Sequence, residues 1–326
     1  AVDSGLVVLF RNHNSAVLTS LGTLKPTYGV PHTMWNGVAA LKKNPAGLIL
    51  DIRGLKGFSA RQIAAALQND WPDLLTGRIS FPGMDHLNEV YPEHMANALI
   101  LPENREKVAQ ALRPHLKDAQ IIGLPAILGI YRTHEVVSDL EKRNGLPVVE
   151  IPTIPPSVPG LRLKEAFERG LRAKGVHYFS QNRVLSARAG KDRYFELDIG
   201  RKTTEDSLKS RGIILASGRF IGGGLYADRL RIKETVFDLP VHQPDSRAGW
   251  HRRDMLDPRG HPVNRAGLEI DDRFRPLNSS QRPAFKTLFA AGSILAHNDW
   301  KRLKCGAGLA VASAFGAVTS FVRICR

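Results

Sequence analysis

The chain has two places where a short apolar strand ends in residues too small to obstruct a ligand. One is "TLFAAGSILAHNDWKRLKCGAGLAVASAFGAV", Thr287 to Val318. Its strand, 288–291, runs into Gly292 and Ser293 and crosses a polar loop holding His297, Asp299, Lys301, Arg302 and Lys304. It then re-enters as Cys305-Gly306-Ala307-Gly308 before a long helix of small residues. The other is "GIILASGRFIGGG", 212–224, where a strand over 213–216 ends at Ser217-Gly218 and then at Gly222, Gly223 and Gly224. With no side chains in the way, backbone N–H groups at such ends can reach a large planar or phosphorylated ligand. In open α/β sheets ligands sit outside the carboxyl ends of the strands, so two such ends point to one shared site. Three glycines alone would mark no more than a tight turn. The pair of strand ends, joined to the helix start at Cys305–Gly308, carries the ligand reading.

Other chemistries lack their residues. The eleven histidines include no HExxH or other spaced metal set, and there is no G-x-S-x-G elbow or P-loop. Metal hydrolase, serine hydrolase and kinase activities are therefore not expected, and no metal is assigned. Cys305 and Cys325 are the only cysteines, too few for a disulfide scaffold or for an iron–sulfur cluster held by this chain's thiolates alone. The net charge of +15 suits nucleic acid, anionic lipid or phosphorylated molecules, and charge alone does not choose among them. No RNP-like aromatic motif or zinc-finger spacing accompanies it, so nucleic acid is not an expected partner. The apolar run 5–10 is short for a signal core and reads as a strand. The uncharged run 306–322 touches the lower limit for a membrane span, but its Gly, Ala and Ser content predicts a closely packed core helix.

The elements that must position these residues alternate in an α/β pattern. Residues 47–54 and 119–128 read as strands, and 59–68 as a helix opened by the N-cap Ser59. "PVVEIPTIPPSVPG", 147–160, packs five prolines into fourteen residues, which predicts a stiff extended connection and a domain junction. The expected division is thus 1–150, a cap- or substrate-like α/β or α+β region, and 151–326, a cofactor domain with a basic, loop-rich insertion at about 226–286. Within the second part, Leu163, Phe167 and Leu171 recur on one face of a helix that Gly175 should stop.

A resemblance narrows the ligand. "PTIPPSVPGLRL" (152–163), "LASGRFIGGGLYADR" (215–229), "GLEIDDRFRP" (267–276) and "LFAAGSILAHNDWKRLKCGAGLAVASA" (288–314) resemble the flavin-binding half of the fumarate reductase and ketosteroid dehydrogenase class of flavoproteins. Within that class the chain is similar to the family of B subunits of anaerobic glycerol-3-phosphate dehydrogenase, and a weaker likeness begins at "LTSLGTLKPT", 18–27. The resemblance implies a Rossmann-like flavin-binding domain and FAD or FMN as cofactor. Ser217, Gly218, Gly222, Gly223 and Gly224 would line it, with Gly292 and Ser293 beside the ribityl chain. Cys305, Gly306 and Gly308 would face the isoalloxazine end, where a positive helix N-terminus favours negative charge on the reduced ring. A cysteine in such a place is more often simply a small buried residue.

The implied reaction oxidises glycerol 3-phosphate to dihydroxyacetone phosphate and passes electrons toward quinone. Taking a hydride from a secondary alcohol wants a base near the hydroxyl and cations for the phosphate. His297 is the candidate base, and Lys301, Arg302, Arg275 and Arg229 are the candidate cations, each with a solvated charged loop as the alternative. Implied partners are a flavin-containing catalytic subunit and an iron–sulfur subunit. The implied place is the cytoplasm, at the inner face of the membrane through those partners. One departure stands out: the class opens with a strand, a G-x-G-x-x-G turn and a helix, and nothing in residues 1–25 matches. "GGGLYA", 222–227, fits G-x-G-x-x-A in form but lies at the second glycine turn, so the chain reads as lacking that phosphate-binding unit. Two rivals stay open: a stand-alone flavin reductase or dehydrogenase acting on another small substrate, and a docking subunit that has lost its flavin.

Overall fold

The computed structural model describes residues 8–190 and 194–325. The chain divides into two compact units, Ala1–Tyr178 and Phe179–Arg326. The first opens with β1 (Val8–Leu18) and β2 (Leu24–Pro31), an antiparallel ribbon followed by α1 (His32–Lys43). Of the apolar run 5–10, residues 8–10 open β1 and residues 5–7 lie outside the described residues. Then β3 (Gly47–Ile52), α2 (Ala60–Ala66), β4 (Leu74–Ile79), α3 (Pro92–Ala98), α4 (Pro102–Leu116), β5 (Ile121–Pro125), α5 (Thr133–Asn144) and β6 (Val148–Ile151) follow in chain order. The four strands make a parallel sheet in the order β4-β3-β5-β6. β3, β5 and β6 are buried at every residue, which is why they read as unbroken apolar runs instead of alternating ones. Ser59 caps α2 as its position predicts, its hydroxyl accepting from the Gln62 N–H at 3.3 Å.

The division between units falls after Tyr178, not at the proline-rich stretch near residue 150. That stretch holds β6, and by Val158 it is already helical as α6 (Val158–Ala173), with Gly175 in the left-handed region just beyond it. α6 belongs to the first unit because Arg162 reaches Glu150 in two hydrogen bonds of 2.6 and 2.7 Å and donates to the Gly129 carbonyl at 2.8 Å. The helix is also turned from its expected orientation. Val158 and Arg162 are buried, while Leu163 and Phe167 are 46% and 61% exposed. A buried ion pair and one valine set the face of contact, and periodicity alone could not see the pair.

Glu150 is fully buried, and burial works to raise its carboxyl. The Arg162 guanidinium and the hydrogen bond from the Leu128 N–H outweigh that and hold it below the usual carboxylate range. Arg162→Ala is expected to cost about 3–5 kcal/mol, because it strands a buried carboxylate. Urea unfolding of the two proteins at neutral pH measures this. Since the folded value is depressed, the stability from the pair is present above the ordinary glutamate value and disappears as pH falls through the folded one, so the gap between parent and variant should close in acid.

The second unit starts with an antiparallel meander of β7 (Arg183–Ala189), β8 (Phe195–Gly200) and β9 (Asp206–Ser210). β10 (Ile213–Leu215) comes next, and a short antiparallel pair, β11 (Leu225–Ala227) with β12 (Ile232–Glu234), follows it. The segment to residue 287 has little regular structure and is stitched by isolated bridges such as His242 to Gly267 and Leu268 to Leu295. β13 (Leu288–Ala290) then pairs in parallel with β10, and α7 (Trp300–Leu303) and α8 (Gly306–Cys325) close the described chain. Thus the molecule combines α/β elements with parallel sheets. α8 is not the closely packed core helix its composition predicts. Ser313 and Ala317 are its buried residues, and Val311 and Phe315 are 72% and 76% exposed. Small residues allow close packing without compelling it. Among the described residues, α8 is the one helix long and apolar enough for a membrane span by length and composition, measures that core helices of soluble proteins also meet.

Candidate functional site

The two glycine-bearing strand ends predicted from the sequence come together. β10 and β13 lie side by side, Ile213 opposite Leu288 and Leu215 opposite Ala290, and the Ala291 N–H donates to the Leu215 carbonyl at 2.9 Å. Beyond the strands, a Cβ added to Gly218 would lie 3.5 Å from the Ser293 hydroxyl oxygen, so the two turns are neighbours. Arg219 fastens them. Its buried guanidinium donates to the carbonyls of Ser293 at 2.5 Å, of Leu295 and Asn298 at 2.9 Å each, and of Asn264. Burial lowers its affinity for the proton, and Asp299 opposes that shift. Sequence reading overlooked Arg219 because its partners are main-chain carbonyls up to 79 residues away, which leave no mark in residue type. α8 is tied to the same place: the Gly292 N–H donates to the Ser313 hydroxyl at 2.8 Å.

The glycines divide by what surrounds them. A Cβ at Gly292 or Gly308 would have nothing within 4 Å, and Gly292 and Gly223 take left-handed φ of 80° and 79°. These positions face open space. A Cβ at Gly222 would come within 2.4 Å of the Ser217 carbonyl, and one at Gly224 within 2.2 Å of the Gly218 carbonyl. Those two glycines are demanded by the fold's own close approach, so they build the wall of the turn and need no ligand to explain them. Gly306 lies against the Trp300 ring, 3.2 Å from an added Cβ. Cys305 is half-buried, and its carbonyl accepts from the Leu309 N–H at 2.9 Å, the first turn of α8.

Beside these turns the same unit holds a polar cavity of about 320 Å³, lined by His242, Arg252, Arg259, Gly260, His261 and Arg265 among others. Much of its wall is committed internally. Arg252 donates to the Gly260 carbonyl at 3.0 Å, Arg259 pairs with Asp257 at 2.8 Å, and the His261 ring is fixed between the Arg252 N–H and the Met255 carbonyl, both at 3.0 Å. The side chains of Arg265 and Arg302 make no ion pair or hydrogen bond among the described residues. Arg302 stands by the cavity wall: a Cβ added to Gly260 would lie 3.4 Å from its Cδ.

His297 lies outside the cavity lining but beside one of its wall residues, His242, the two ring centroids being 4.2 Å apart. Its Nε2 is 3.0 Å from Glu269 Oε1. Hydrogen bonding from His297 is the largest influence holding the Glu269 carboxyl below its usual range. An ionised carboxylate can only accept, so Nε2 carries a proton, and in the neutral ring Nδ1 keeps the lone pair. The backbone at His297 has φ of 67°, an uncommon conformation for a residue with a side chain. Lys301 is not brought to this cavity; its ammonium lies 5.9 Å from the Trp300 ring centroid. Arg275 is bound to Asp271 at 2.7 and 2.9 Å and so is not a free cation, while Arg229 is exposed.

A family model described as FAD binding domain matches residues 5–309. The chain belongs to the FAD binding domain family. Its relatives include the B subunit of the anaerobic glycerol-3-phosphate dehydrogenase of Yersinia pestis, 29% identical over 309 residues that cover 92% of this chain and 71% of the relative. The corresponding B subunit from Pectobacterium atrosepticum is 29% identical over 316 residues, 94% of this chain and 73% of the relative. No solved structure matches the chain. Of the two flavins the sequence left open, the family's is FAD.

The residues present fit this FAD binding domain's cofactor on two observations. The Ser217 hydroxyl is buried without a hydrogen-bond partner among the described residues, at the turn between the strand ends. Gly292 and Gly308 each leave open the volume a side chain would fill. Sequence reading missed Glu269 and His242, which lie in separate segments and carry no recognisable spacing to His297.

Proposed function

We propose that this chain is a subunit of a flavin-dependent dehydrogenase that oxidises glycerol 3-phosphate to dihydroxyacetone phosphate, with electrons passed on toward quinone. The names of its relatives support the substrate, and the cavity supports the chemistry. The observation that carries the reading is the polar cavity whose wall includes His242 and the unpaired Arg265, with the His297–Glu269 pair beside His242 and the unpaired Arg302 beside Gly260. Ser217, Gly218, Gly292, Ser293 and the amides at the start of α8 would hold FAD in a Rossmann-like arrangement of the second unit. Bound FAD supplies the acceptor for the hydride that a secondary alcohol must lose. His297 takes the hydroxyl proton at Nδ1, and Glu269 holds the ring in the tautomer that leaves this nitrogen free and favours the imidazolium that results. Arg302 and Arg265 hold the phosphate by charge-assisted hydrogen bonds, which sets the carbinol toward His297.

The relatives are named as one subunit of a larger enzyme, so this chain is proposed to work beside a second flavin subunit and an iron–sulfur subunit at the inner face of the cytoplasmic membrane. Two cysteines cannot supply the four ligands of a cluster. Mixing the purified yellow protein with glycerol 3-phosphate under anaerobic conditions is expected to bleach the flavin absorbance, and glycerol at equal concentration should not. Equal bleaching by glycerol would remove the phosphate contacts from the proposal. No bleaching by either would place the oxidation on another subunit.

A further inference from the structure

We infer that His242, Glu269 and His297 form a binding site for a divalent transition metal ion of the zinc class, open at its fourth position. Two imidazoles and one carboxylate are a donor set such ions take readily. The candidate ligand atoms all lie within 4.8 Å of one another. His297 Nε2 is 3.0 Å and His242 Nδ1 is 3.6 Å from the same Glu269 oxygen. With metal–ligand bonds of about 2.0–2.1 Å in tetrahedral array, neighbouring ligand atoms sit about 3.3 Å apart. The two observed separations bracket that value, so small side-chain rotations close the set around an ion.

The backbone keeps the three donors in place without help from a metal. The 242 and 267 segments exchange two hydrogen bonds, 2.8 and 3.1 Å, between His242 and Gly267. Leu268 is bonded to Ile294 at 2.8 Å and to Ala296 at 2.9 Å, and the His297 N–H donates to the Arg265 carbonyl at 2.9 Å. Gly267 permits this approach, since a Cβ there would fall 2.3 Å from the Ile294 carbonyl. The left-handed φ of His297, 67°, aims its ring back toward Glu269 and is the kind of backbone outlier that persists where surrounding bonds enforce it. Gln281 donates to the second Glu269 oxygen at 3.4 Å, an outer-shell bond that orients the carboxylate. The His297 and His242 side chains are 59% and 42% exposed, which gives an ion an entry path.

Occupation would change the proton on His297. A metal at Nε2 displaces the proton now shared with Glu269, and a neutral ring bound there carries its one proton on Nδ1. The nitrogen proposed as base is then blocked, so an ion of this class would act as a reversible inhibitor. This consequence rests on the proposed role of His297, whereas the site itself does not.

The test uses the untagged full chain, stripped with chelator and titrated with Co²⁺. Visible ligand-field bands that saturate at one ion per chain and are displaced by Zn²⁺ are expected. His242→Ala and Glu269→Gln should each weaken Co²⁺ binding by about tenfold or more, while His251→Ala leaves it unchanged and all three keep the parental thermal midpoint. Glu269→Gln keeps the side-chain shape, so it serves if His242→Ala folds poorly. Parental Co²⁺ affinity in Glu269→Gln, or binding that never saturates at one ion, overturns the site. Zn²⁺ that binds at one equivalent without slowing turnover upholds the site and removes His297 from the role of base.

Discussion

His297→Ala is expected to lower kcat for glycerol 3-phosphate by about 10² or more with flavin content unchanged, the scale for loss of a positioned general base. The expectation follows from the Nε2 to Glu269 distance of 3.0 Å, which in the neutral ring leaves Nδ1 as the proposed proton acceptor. Glu269→Gln should fall in the same direction by less, since an amide still meets the ring but neither favours imidazolium by charge nor enforces one tautomer. Arg302→Ala acts differently. In the proposed arrangement its guanidinium would hold the phosphate, the part of the substrate that does not react, so the apparent KM should rise by about tenfold or more while kcat changes less, as expected for one charge-assisted hydrogen bond. Steady-state kinetics in the assembled complex, with flavin measured on the same samples, separates the two effects. Parental kinetics in both variants would make the loop a solvated or docking surface.

Gly308→Val is expected to release most of the bound flavin while the protein stays folded. An added Cβ at Gly308 meets nothing within 4 Å, so the branched side chain is accommodated by the protein and obstructs only what occupies the open space beside it. Valine costs an exposed helix no more than glycine does, within about 0.5 kcal/mol, so loss of flavin could not be blamed on a weakened α8. Gly224→Val is the contrasting variant. A Cβ there strikes the Gly218 carbonyl at 2.2 Å, so it should lose flavin and thermal stability together. Flavin absorbance per chain and the thermal midpoint of each variant are the measurements. Full flavin occupancy in Gly308→Val would move the cofactor away from the start of α8.

What could be read from the sequence was local. Ser59 as a cap, Gly175 as a stop and the short strands ending at Ser217-Gly218 and Gly292-Ser293 each depend on residues within a few positions of one another, where chain geometry leaves few options. The resemblance in those segments led to the same family that the match over residues 5–309 establishes.

Other features arise only when distant segments meet. Leu163 and Phe167 have the right period for a buried face, yet Arg162 and Val158 take that place because Glu150 waits in the core for a cation. For the same reason the unit boundary lies after Tyr178, since α6 follows its ion pair into the first unit. Arg219 looks like any basic residue until four carbonyls from two later segments close around it. Glu269 and His242 come beside His297 only in the folded chain, and a backbone ladder between three separate segments puts them there. Residue types and local spacing determined which turns could admit FAD. Tertiary packing decided which polar side chains stand around the polar cavity, because hydrogen-bond partners and buried charges are chosen by distance in space and not by distance along the chain.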